Sequence, residues 1–201
     1  MGRVALLVST NENKAKELAS ALPGWTIELL PDEVEEDGTT YYENALAKAH
    51  HGLEARPGEW ILAEDSGIEA EALEGRPGIY SARWGRPGSS IERLLGELEG
   101  VEDRRARYVS ELVCYTPEER ELRGTGTLEG TVAHERRGSE GFGYDPVFIP
   151  EGETRTVAEL GNAWKAEHSH RARAARALLQ SLYASPGASS ASGRTPRRAH
   201  Q

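Results

Sequence analysis

Two adjacent carboxylates, Glu64 and Asp65, are the residues of this chain best suited by type and position to do chemistry. The apolar run 60–63 precedes them, and a small, flexible pair, Ser66 and Gly67, follows. Adjacent acids at the end of a buried strand are costly unless a positive charge neutralises them, and a hard cation such as Mg²⁺ is the usual partner. The segment therefore indicates metal-dependent chemistry on a phosphate-bearing substrate. The alternative is an ordinary strand end with a solvated acidic turn.

A second polar segment, 9–14, follows the apolar run at 4–9. A strand, a polar turn and a helix in this order direct the helix N-terminal amides at an anion, so the segment could hold a phosphate and its sugar. It lacks the Gly-x-x-x-x-Gly-Lys-Ser/Thr pattern, which argues against a P-loop kinase or ATPase. The alternative is an ordinary capped helix start. The residues of the segment 9–14 are Ser9, Thr10, Asn11, Glu12, Asn13 and Lys14.

Two later segments could hold a base. Glycines on both sides of Phe142 leave its ring free for stacking, and Asp145 is held extended by the following Pro146. Further along, Lys165 and the Ser-His-Arg segment at 169–171 place donors at a helix start, where anions and carbonyl oxygens are well received. The alternatives are a rigid loop that buries two aromatic rings and basic residues on a solvated helix start.

The elements that must position these residues mix strand and helix patterns. Strand patterns cover 4–9, 25–30, 60–64, 68–72, 105–115 and 120–135, with a turn at 65–67 and a hairpin signal at 116–119. Helix patterns cover 14–22, 41–55, 89–98 and 170–183. On the second helix, Asn44, Lys48 and His51 share a face. The Gly-Thr-Gly-Thr stretch at 124–127 predicts a bulge or bend. Together these patterns predict an α/β fold with a mixed sheet.

The bulk properties narrow the class of protein. The 201 residues suit one domain, which we expect at 1–184, followed by a disordered tail at 185–201. A net charge of −9 argues against a general nucleic-acid binder but leaves room for a small anionic ligand. No apolar run reaches the ~18 residues of a membrane span, and the N-terminal run is too short for a signal peptide. We therefore expect a soluble cytoplasmic protein with no membrane partner, and a buried structural thiol at Cys114.

Taken together, these segments resemble the inosine triphosphate pyrophosphatase family, whose members hydrolyse dITP, ITP and XTP. The matching segments follow the family order over residues 3–183. They are 9–14, Glu36, 42–49, 64–67, 77–83, 141–145, 158–160, Lys165 and 169–171. The resemblance implies Mg²⁺-dependent hydrolysis between the α- and β-phosphates, which gives the monophosphate and pyrophosphate. It also implies an elongated mixed central sheet with flanking helices, two lobes around a nucleotide cleft, and a homodimer.

The resemblance also implies individual roles. Asp65 and Lys48 match catalytic positions, and Glu36 and Asp65 match the carboxylates that hold Mg²⁺. Lys14, Lys48 and Arg83 are candidates to balance the triphosphate charge. Many members carry Asp where this chain has Glu64, so the role of Glu64 stays open. The substrate-binding positions implied are Ser9, Thr10, Asn11, Glu12, Asn13, Lys14, Ser66, Phe142, Gly143, Tyr144, Asp145, Lys165, His170 and Arg171.

Two other hypotheses are compatible with parts of the sequence. One is a related nucleotide pyrophosphatase that acts on other modified triphosphates, such as those of pyrimidines. The other is a nucleic-acid-binding module that uses the Arg-bearing tail and the basic helix at 170–176. The acidic body of the chain disfavours the second hypothesis, which also leaves the carboxylates unexplained.

Overall fold

In a computed structural model of the chain, residues 2–85 and 88–184 are described. The strands are β1 (Arg3–Val8), β2 (Trp25–Leu30), β3 (Trp60–Ala70), β4 (Arg105–Tyr115), β5 (Glu121–Val132) and β6 (Phe148–Pro150). They form a 6-stranded sheet in the order β2-β1-β3-β4-β5-β6. β1 pairs in parallel with β2 and β3, and the pairings from β3 to β6 are antiparallel. The predicted α/β class with a mixed sheet is confirmed.

Within residues 2–85 and 88–184, five α-helices flank the sheet. They are α1 (Glu12–Ala21), α2 (Tyr41–Ala55), α3 (Ser90–Glu97), α4 (Val157–His168) and α5 (His170–Tyr183). Leu18 of α1 and Leu178 of α5 pack with Leu62 of β3 on one face of the sheet. Ala45 of α2 packs with Ile61 on the other face. Because side chains alternate along a strand, Glu64 faces α1 and α5 while Asp65 faces α2.

β3 runs without a break through residues 65–67, where the sequence pattern predicted a turn between two short strands. β4 pairs with β3 from Ile61↔Tyr115 to Ala70↔Ala106, and this ladder keeps the segment extended. Gly67 permits a close contact, since a Cβ there would lie 2.3 Å from the Gly78 carbonyl oxygen. The turn prediction is wrong, and the two acids are held by a sheet instead of a loop.

The glycines of β5 allow α5 to lie close to the sheet. The predicted bulge at 124–127 is wrong, because the register with β4 is continuous there. A Cβ on Gly126 would lie 2.1 Å from the His170 carbonyl oxygen, and one on Gly124 would lie 2.2 Å from that of Ala174. Glycine at these positions therefore sets how closely the helix that carries His170 and Arg171 approaches β5.

We expect Gly126→Ala to lower the free energy of unfolding by about 2 kcal/mol, because the α5 backbone would have to move away from the strand. Thermal and urea denaturation measure this change. Gly96→Ala is the matched control: its site in α3 is exposed, a Cβ there meets nothing within 4 Å, and Ala is the better helix former. Equal unfolding temperatures for the two variants would contradict the role assigned to Gly126.

Several boundaries agree closely with the sequence pattern, and two elements were not predicted. The bounds of α2, β4 and α5 match the predicted ones, and Cys114 is buried as predicted. The helix α4 and the short strand β6 were missed; Gly161, with φ of 87°, interrupts the helical period of α4. The predicted disordered tail at 185–201 lies outside the described residues. Among the helices that are described, none is both long and apolar enough to cross a membrane.

Candidate active site

A cleft opens where β3 continues past the end of β1. The pairing of these strands ends at Leu7↔Leu62, whereas β3 extends to Ala70. Asp65, Ser66 and Gly67 of β3 form the floor of a cleft of about 490 Å³, whose walls include the first turn of α1, residues 142–145 and the first turn of α5. Glu64 and Asp65 therefore lie just beyond the point where the pairing of β3 with β1 ends.

Asp65 is buried on the α2 side of this floor. Asn44 Nδ2 donates a hydrogen bond to Asp65 Oδ2 at 3.0 Å. Lys48 Nζ lies 3.7 Å from Asp65 Oδ1 and donates to the Glu64 carbonyl oxygen at 3.1 Å. Asn44 and Lys48 are one helical turn apart, so α2 directs both at the same carboxylate. Burial raises the pKa of Asp65 above its ordinary value, although Lys48 and Lys14 oppose the shift.

Glu36 reaches the same point from the loop before α2. Its carboxylate contacts the ammonium of Lys48 and accepts a hydrogen bond from Arg83 Nη1 at 3.0 Å. Burial alone would raise the pKa of Glu36, but Lys48 and Lys14 outweigh it, and the pKa lies below its ordinary value. Glu36 and Asp65 therefore meet at one ammonium, and a single cation between them could contact both.

The donor set suits Mg²⁺. Carboxylate oxygens are hard ligands, and Mg²⁺ in nucleotide enzymes is commonly held by one or two carboxylates together with substrate phosphates. Across residues 2–85 and 88–184, no group of three or more His, Cys, Asp or Glu side chains is placed to hold a metal ion. An ion between Glu36 and Asp65 would therefore need further oxygens from a phosphate or from water.

Glu64 has a different role from its neighbour. Its side chain is 0% exposed; Lys14 Nζ lies 2.7 Å from Oε2, and Arg171 Nε and Ser110 Oγ each donate to Oε1 at 3.0 Å. Burial would raise the pKa of Glu64, but Arg171 and Lys14 lower it far more, so that it lies well below its ordinary value. Glu64 is thus a buried counter-ion that orients two cations, on the face opposite to Asp65.

Two cations surround the aromatic ring at the other end of the cleft. Lys165 Nζ lies 4.7 Å and Arg171 Cζ 5.1 Å from the centroid of Phe142. Glu17 of α1 bridges the cations: it contacts Lys165 and accepts a hydrogen bond from Arg171 Nη1 at 2.9 Å. Arg171 also donates from Nη2 to Ser66 Oγ at 2.7 Å. This end offers an aromatic face with fixed hydrogen-bond donors beside it.

Asp145 is an internal acceptor that fixes the segment 141–145. Its carboxylate accepts hydrogen bonds from the Phe142 backbone N–H at 2.8 Å, from Lys165 Nζ at 2.5 Å and from the Tyr108 hydroxyl at 3.3 Å. Burial raises its pKa above the ordinary value, although Lys165 opposes the shift. The Asp145 side chain therefore holds other pocket residues in place.

His170 forms the remaining wall of this end. Its ring stacks on that of Tyr108, with centroids 4.5 Å apart and planes 10° from parallel. Burial lowers the pKa of His170 well below its ordinary value of 6.5, and the neighbouring Arg171 lowers it further. The imidazole is therefore neutral near pH 7, with one donor and one acceptor nitrogen.

Comparison with known proteins identifies the family of this chain. A model of the Ham1 family matches residues 5–181, which contain every contact described above. The chain belongs to the Ham1 family. It is 42% identical over 184 residues to a protein named dITP/XTP pyrophosphatase from Gloeobacter violaceus, with 89% of this chain and 94% of the relative covered. The family resemblance inferred from the motifs is confirmed.

Two further relatives of the Ham1-family chain span nearly the same length. A protein of the same name from Thermus thermophilus is 40% identical over 196 residues, with 92% of this chain and 94% of the relative covered. Among solved structures, the Staphylococcus aureus Ham1 protein superposes with a TM-score of 0.78 at 34% identity, and covers 90% of this chain and 97% of its own. The mixed α/β architecture is therefore the one found in Ham1 proteins.

The structure brings together most of the residues predicted for this Ham1-family site. Those that line the cleft are Asn11, Lys14, Glu36, Asp65, Ser66, Phe142, Gly143, Tyr144, Asp145, His170 and Arg171. Lys48 and Lys165 lie directly behind the cleft, each bound to carboxylates. The roles of all these residues remain predictions. The Tyr144 hydroxyl already donates to the Ser81 carbonyl oxygen at 3.0 Å, which indicates that this side chain shapes the wall.

The segment before α1 is divided between the cleft and solvent. Asn11 caps the helix, since its Oδ1 accepts hydrogen bonds from the backbone N–H groups of Asn13 at 3.0 Å and Lys14 at 3.3 Å. Thr10 and Asn13 are exposed, and Glu12, with a side chain 75% exposed, pairs with Lys16. Only part of the predicted segment therefore faces the cleft through its side chains.

Several residues of the site were not predicted from the sequence. Glu17, Tyr108 and Ser110 each contact a predicted site residue. Glu17 follows Lys14 by three positions on a helix, a spacing that places the two side chains on one face. For Tyr108 and Ser110 the only sequence signal is that they alternate along β4. Conversely, His51 of α2 does not join Lys48 in the site but pairs with Asp32 at 2.9 Å.

Proposed function

We propose that this Ham1-family chain hydrolyses the non-standard purine nucleoside triphosphates dITP, ITP and XTP to the monophosphate and pyrophosphate. The observation that carries the proposal is the division of the cleft into two ends. Glu36, Asp65 and Lys14 line one end with Lys48 bound behind them, and Phe142 and Arg171 line the other end with Lys165 bound behind them. A triphosphate and a stacked base need these two environments, and the relatives named dITP/XTP pyrophosphatase support this assignment.

At the phosphate end, Asp65 is the group placed to orient and deprotonate the attacking water. Its Oδ2 accepts a hydrogen bond from Asn44 at 3.0 Å, which fixes the carboxylate plane. Burial raises the pKa of Asp65 above its ordinary value, which makes it a better proton acceptor than an exposed aspartate. Lys14 and Lys48 supply positive charge against a triphosphate with about four negative charges, as electrostatic catalysis of phosphoryl transfer requires.

We propose Mg²⁺ as the metal of this end, held by Glu36 and Asp65. When bound, it would offset negative charge on the leaving pyrophosphate. The Lys48 ammonium contacts both carboxylates and keeps this pair of proposed ligands close together. Its charge also limits the repulsion between them.

At the base end, we propose that selection depends on fixed donors. Hypoxanthine and xanthine present a carbonyl at purine position 6, where adenine presents an amine. Lys165 and Arg171 can donate to that carbonyl, whereas adenine would set donor against donor, a mismatch that buried sites penalise strongly. Because Glu17 holds both cations, they cannot easily turn away from an unsuitable base.

The deciding experiment is an assay of pyrophosphate and orthophosphate released from dITP, dATP and dUTP, with and without Mg²⁺. We expect pyrophosphate as the product, dITP preferred over dATP, and activity lost when EDTA removes the metal. Preference for dUTP would favour the related pyrophosphatase that acts on pyrimidine triphosphates. Release of orthophosphate alone would overturn the assigned reaction.

We further propose that the protein works as a cytoplasmic homodimer. This proposal rests on the family resemblance in the sequence motifs and on the small anionic substrate, which belongs to the nucleotide pool. Size-exclusion chromatography with light scattering measures the oligomeric state directly. A monomer at assay concentrations with full activity would contradict the dimer.

A further inference from the structure

Tyr108 of β4 contacts two residues of the base end, His170 and Asp145, and packs against Phe148. Its ring lies against His170, with centroids 4.5 Å apart and planes 10° from parallel, and against Phe148 at 4.5 Å and 46°. Its hydroxyl donates to Asp145 Oδ1 at 3.3 Å. The residue is 6% exposed and lines the cleft. One side chain thus joins the histidine wall to the segment that carries Phe142.

The contact with Tyr108 determines the orientation of the His170 ring. The Nδ1 atom of His170 is buried and, within the described part of the chain, has no hydrogen-bond partner. No hydrogen bond at that nitrogen therefore fixes the ring, and its orientation depends on packing. The near-parallel ring of Tyr108 is the flat surface that sets this orientation.

The contact with Asp145 extends further into the base end. Besides the Tyr108 hydroxyl, the Asp145 carboxylate accepts hydrogen bonds from the Phe142 backbone N–H and from Lys165 Nζ. A shift of this carboxylate would move the stacking ring and one of its two flanking cations together. The Tyr108 hydroxyl is one of three restraints on Asp145, so its loss alone should have a smaller effect than loss of the whole side chain.

We propose that Tyr108 is a positioning residue for base selection: its ring sets the plane of His170 and its hydroxyl steadies Asp145. The proposal rests on the proposed function for its substrate and gives Tyr108 no role in phosphate chemistry. Asp65 lies on the opposite face of β3 and has no contact with Tyr108 among its hydrogen-bond and ion-pair partners. The two ends of the cleft can therefore be separated by kinetics.

The experiment compares Tyr108→Phe and Tyr108→Leu with wild type, using dITP and dATP. Tyr108→Leu is expected to lower the ratio of kcat/KM for dITP over dATP about tenfold, through a higher KM for dITP, since displaced pocket groups cost this much or more. Its kcat at saturating dITP should stay within about threefold of wild type. Tyr108→Phe keeps the stacking and should change the ratio about threefold, the effect of one modest hydrogen bond.

Tyr115 provides a matched control on the same strand. It is 7% exposed, donates its hydroxyl to Glu121 Oε2 at 3.0 Å, and packs beside the His50 ring at 5.6 Å. Tyr115→Phe and Tyr115→Leu should lower the free energy of unfolding about as much as the corresponding Tyr108 variants. They should leave the ratio of kcat/KM for dITP over dATP unchanged. An unchanged ratio in Tyr108→Leu, or an equal loss in Tyr115→Leu, would overturn the proposal.

A second measurement does not depend on turnover. The NMR signals of the His170 ring protons carry the ring-current shift of the stacked Tyr108. They should move in Tyr108→Leu, stay near their wild-type positions in Tyr108→Phe, and be unaffected by Tyr115→Leu. If wild type releases no pyrophosphate from dITP, the proposed function fails while these signals still test the stacking. If Tyr108→Leu does not fold, the kinetics of Tyr108→Phe decide whether the hydroxyl acts on the base end.

Discussion

Asp65→Asn is expected to lower kcat for pyrophosphate release from dITP by about a thousandfold, within the range for loss of a general base. The amide has nearly the same size but cannot accept the proton of the attacking water. It also presents an NH₂ group where Asn44 Nδ2 now donates at 3.0 Å or where Lys48 Nζ lies 3.7 Å away. Initial rates of pyrophosphate release, with protein concentration fixed by absorbance, measure the change.

The same substitution should not weaken the fold. The pKa of Asp65 is raised by burial, so its ionised form costs folding free energy above the ordinary pKa of 3.8 instead of contributing it. Asp65→Asn removes that cost, which offsets the mismatch between its NH₂ group and the neighbouring donor, and its unfolding temperature is expected to lie close to that of wild type. Loss of activity together with loss of stability would instead indicate a structural role.

Glu69→Gln is the control for this experiment. Glu69 lies on the same strand and pairs with Arg107 at 2.7 Å, outside the cleft. Its substitution removes a β3 carboxylate while the chemistry should continue at the wild-type rate. Near-wild-type pyrophosphate release by Asp65→Asn would remove Asp65 from the catalytic role, whatever the control shows.

The elements that could be predicted are those with local signals at their ends. Thr40 and Glu43 form a capping box at the start of α2, and the Pro-Gly pair at 57–58 follows its end. Ser169 caps α5, where its hydroxyl oxygen accepts a hydrogen bond from the Ala172 backbone N–H. β3 could not be predicted in full, because the Asp-Ser-Gly segment has local turn propensity and only pairing with β4 keeps it extended. The conformation of residues 65–67 depends on contacts between segments that are distant in sequence, and local sequence patterns carry no information on such contacts.

The same limit applies to the site. The residue types at 9–14, 64–66, 142–145 and 165–171 indicated a phosphate site and a base site, because acids, cations and an aromatic ring occur together in one chain. The separation of Glu64 from Asp65 onto opposite faces could not be inferred, since it follows only when β3 is continuous. Ser110 and Tyr108 enter the site through the register Ser66↔Ser110 and Ile68↔Tyr108, and a single sequence does not specify register.

Glu64→Gln is the second substitution with a large expected effect. It should lower the free energy of unfolding at pH 7 by about 3 kcal/mol. The carboxylate is fully buried between Lys14 and Arg171, and its loss leaves the Lys14 ammonium without its 2.7 Å partner. Glu17 still pairs with Arg171, and Lys14 is 18% exposed, so the loss should fall at the low end for a broken buried ion pair. Urea denaturation measures it. Glu12→Gln, at an exposed pair with Lys16, should change the midpoint little.

The pH dependence of this difference separates an ion pair from simple packing. The folded pKa of Glu64 lies below its ordinary value of 4.5, so the ionised carboxylate stabilises the fold. That contribution is fully present above pH 4.5 and is lost as the pH falls towards the folded pKa. The gap in unfolding free energy between wild type and Glu64→Gln should therefore be constant near neutral pH and narrow below 4.5. A gap that stays the same in acid would mean that Glu64 acts through its shape, and the orientation of Lys14 and Arg171 would need another cause.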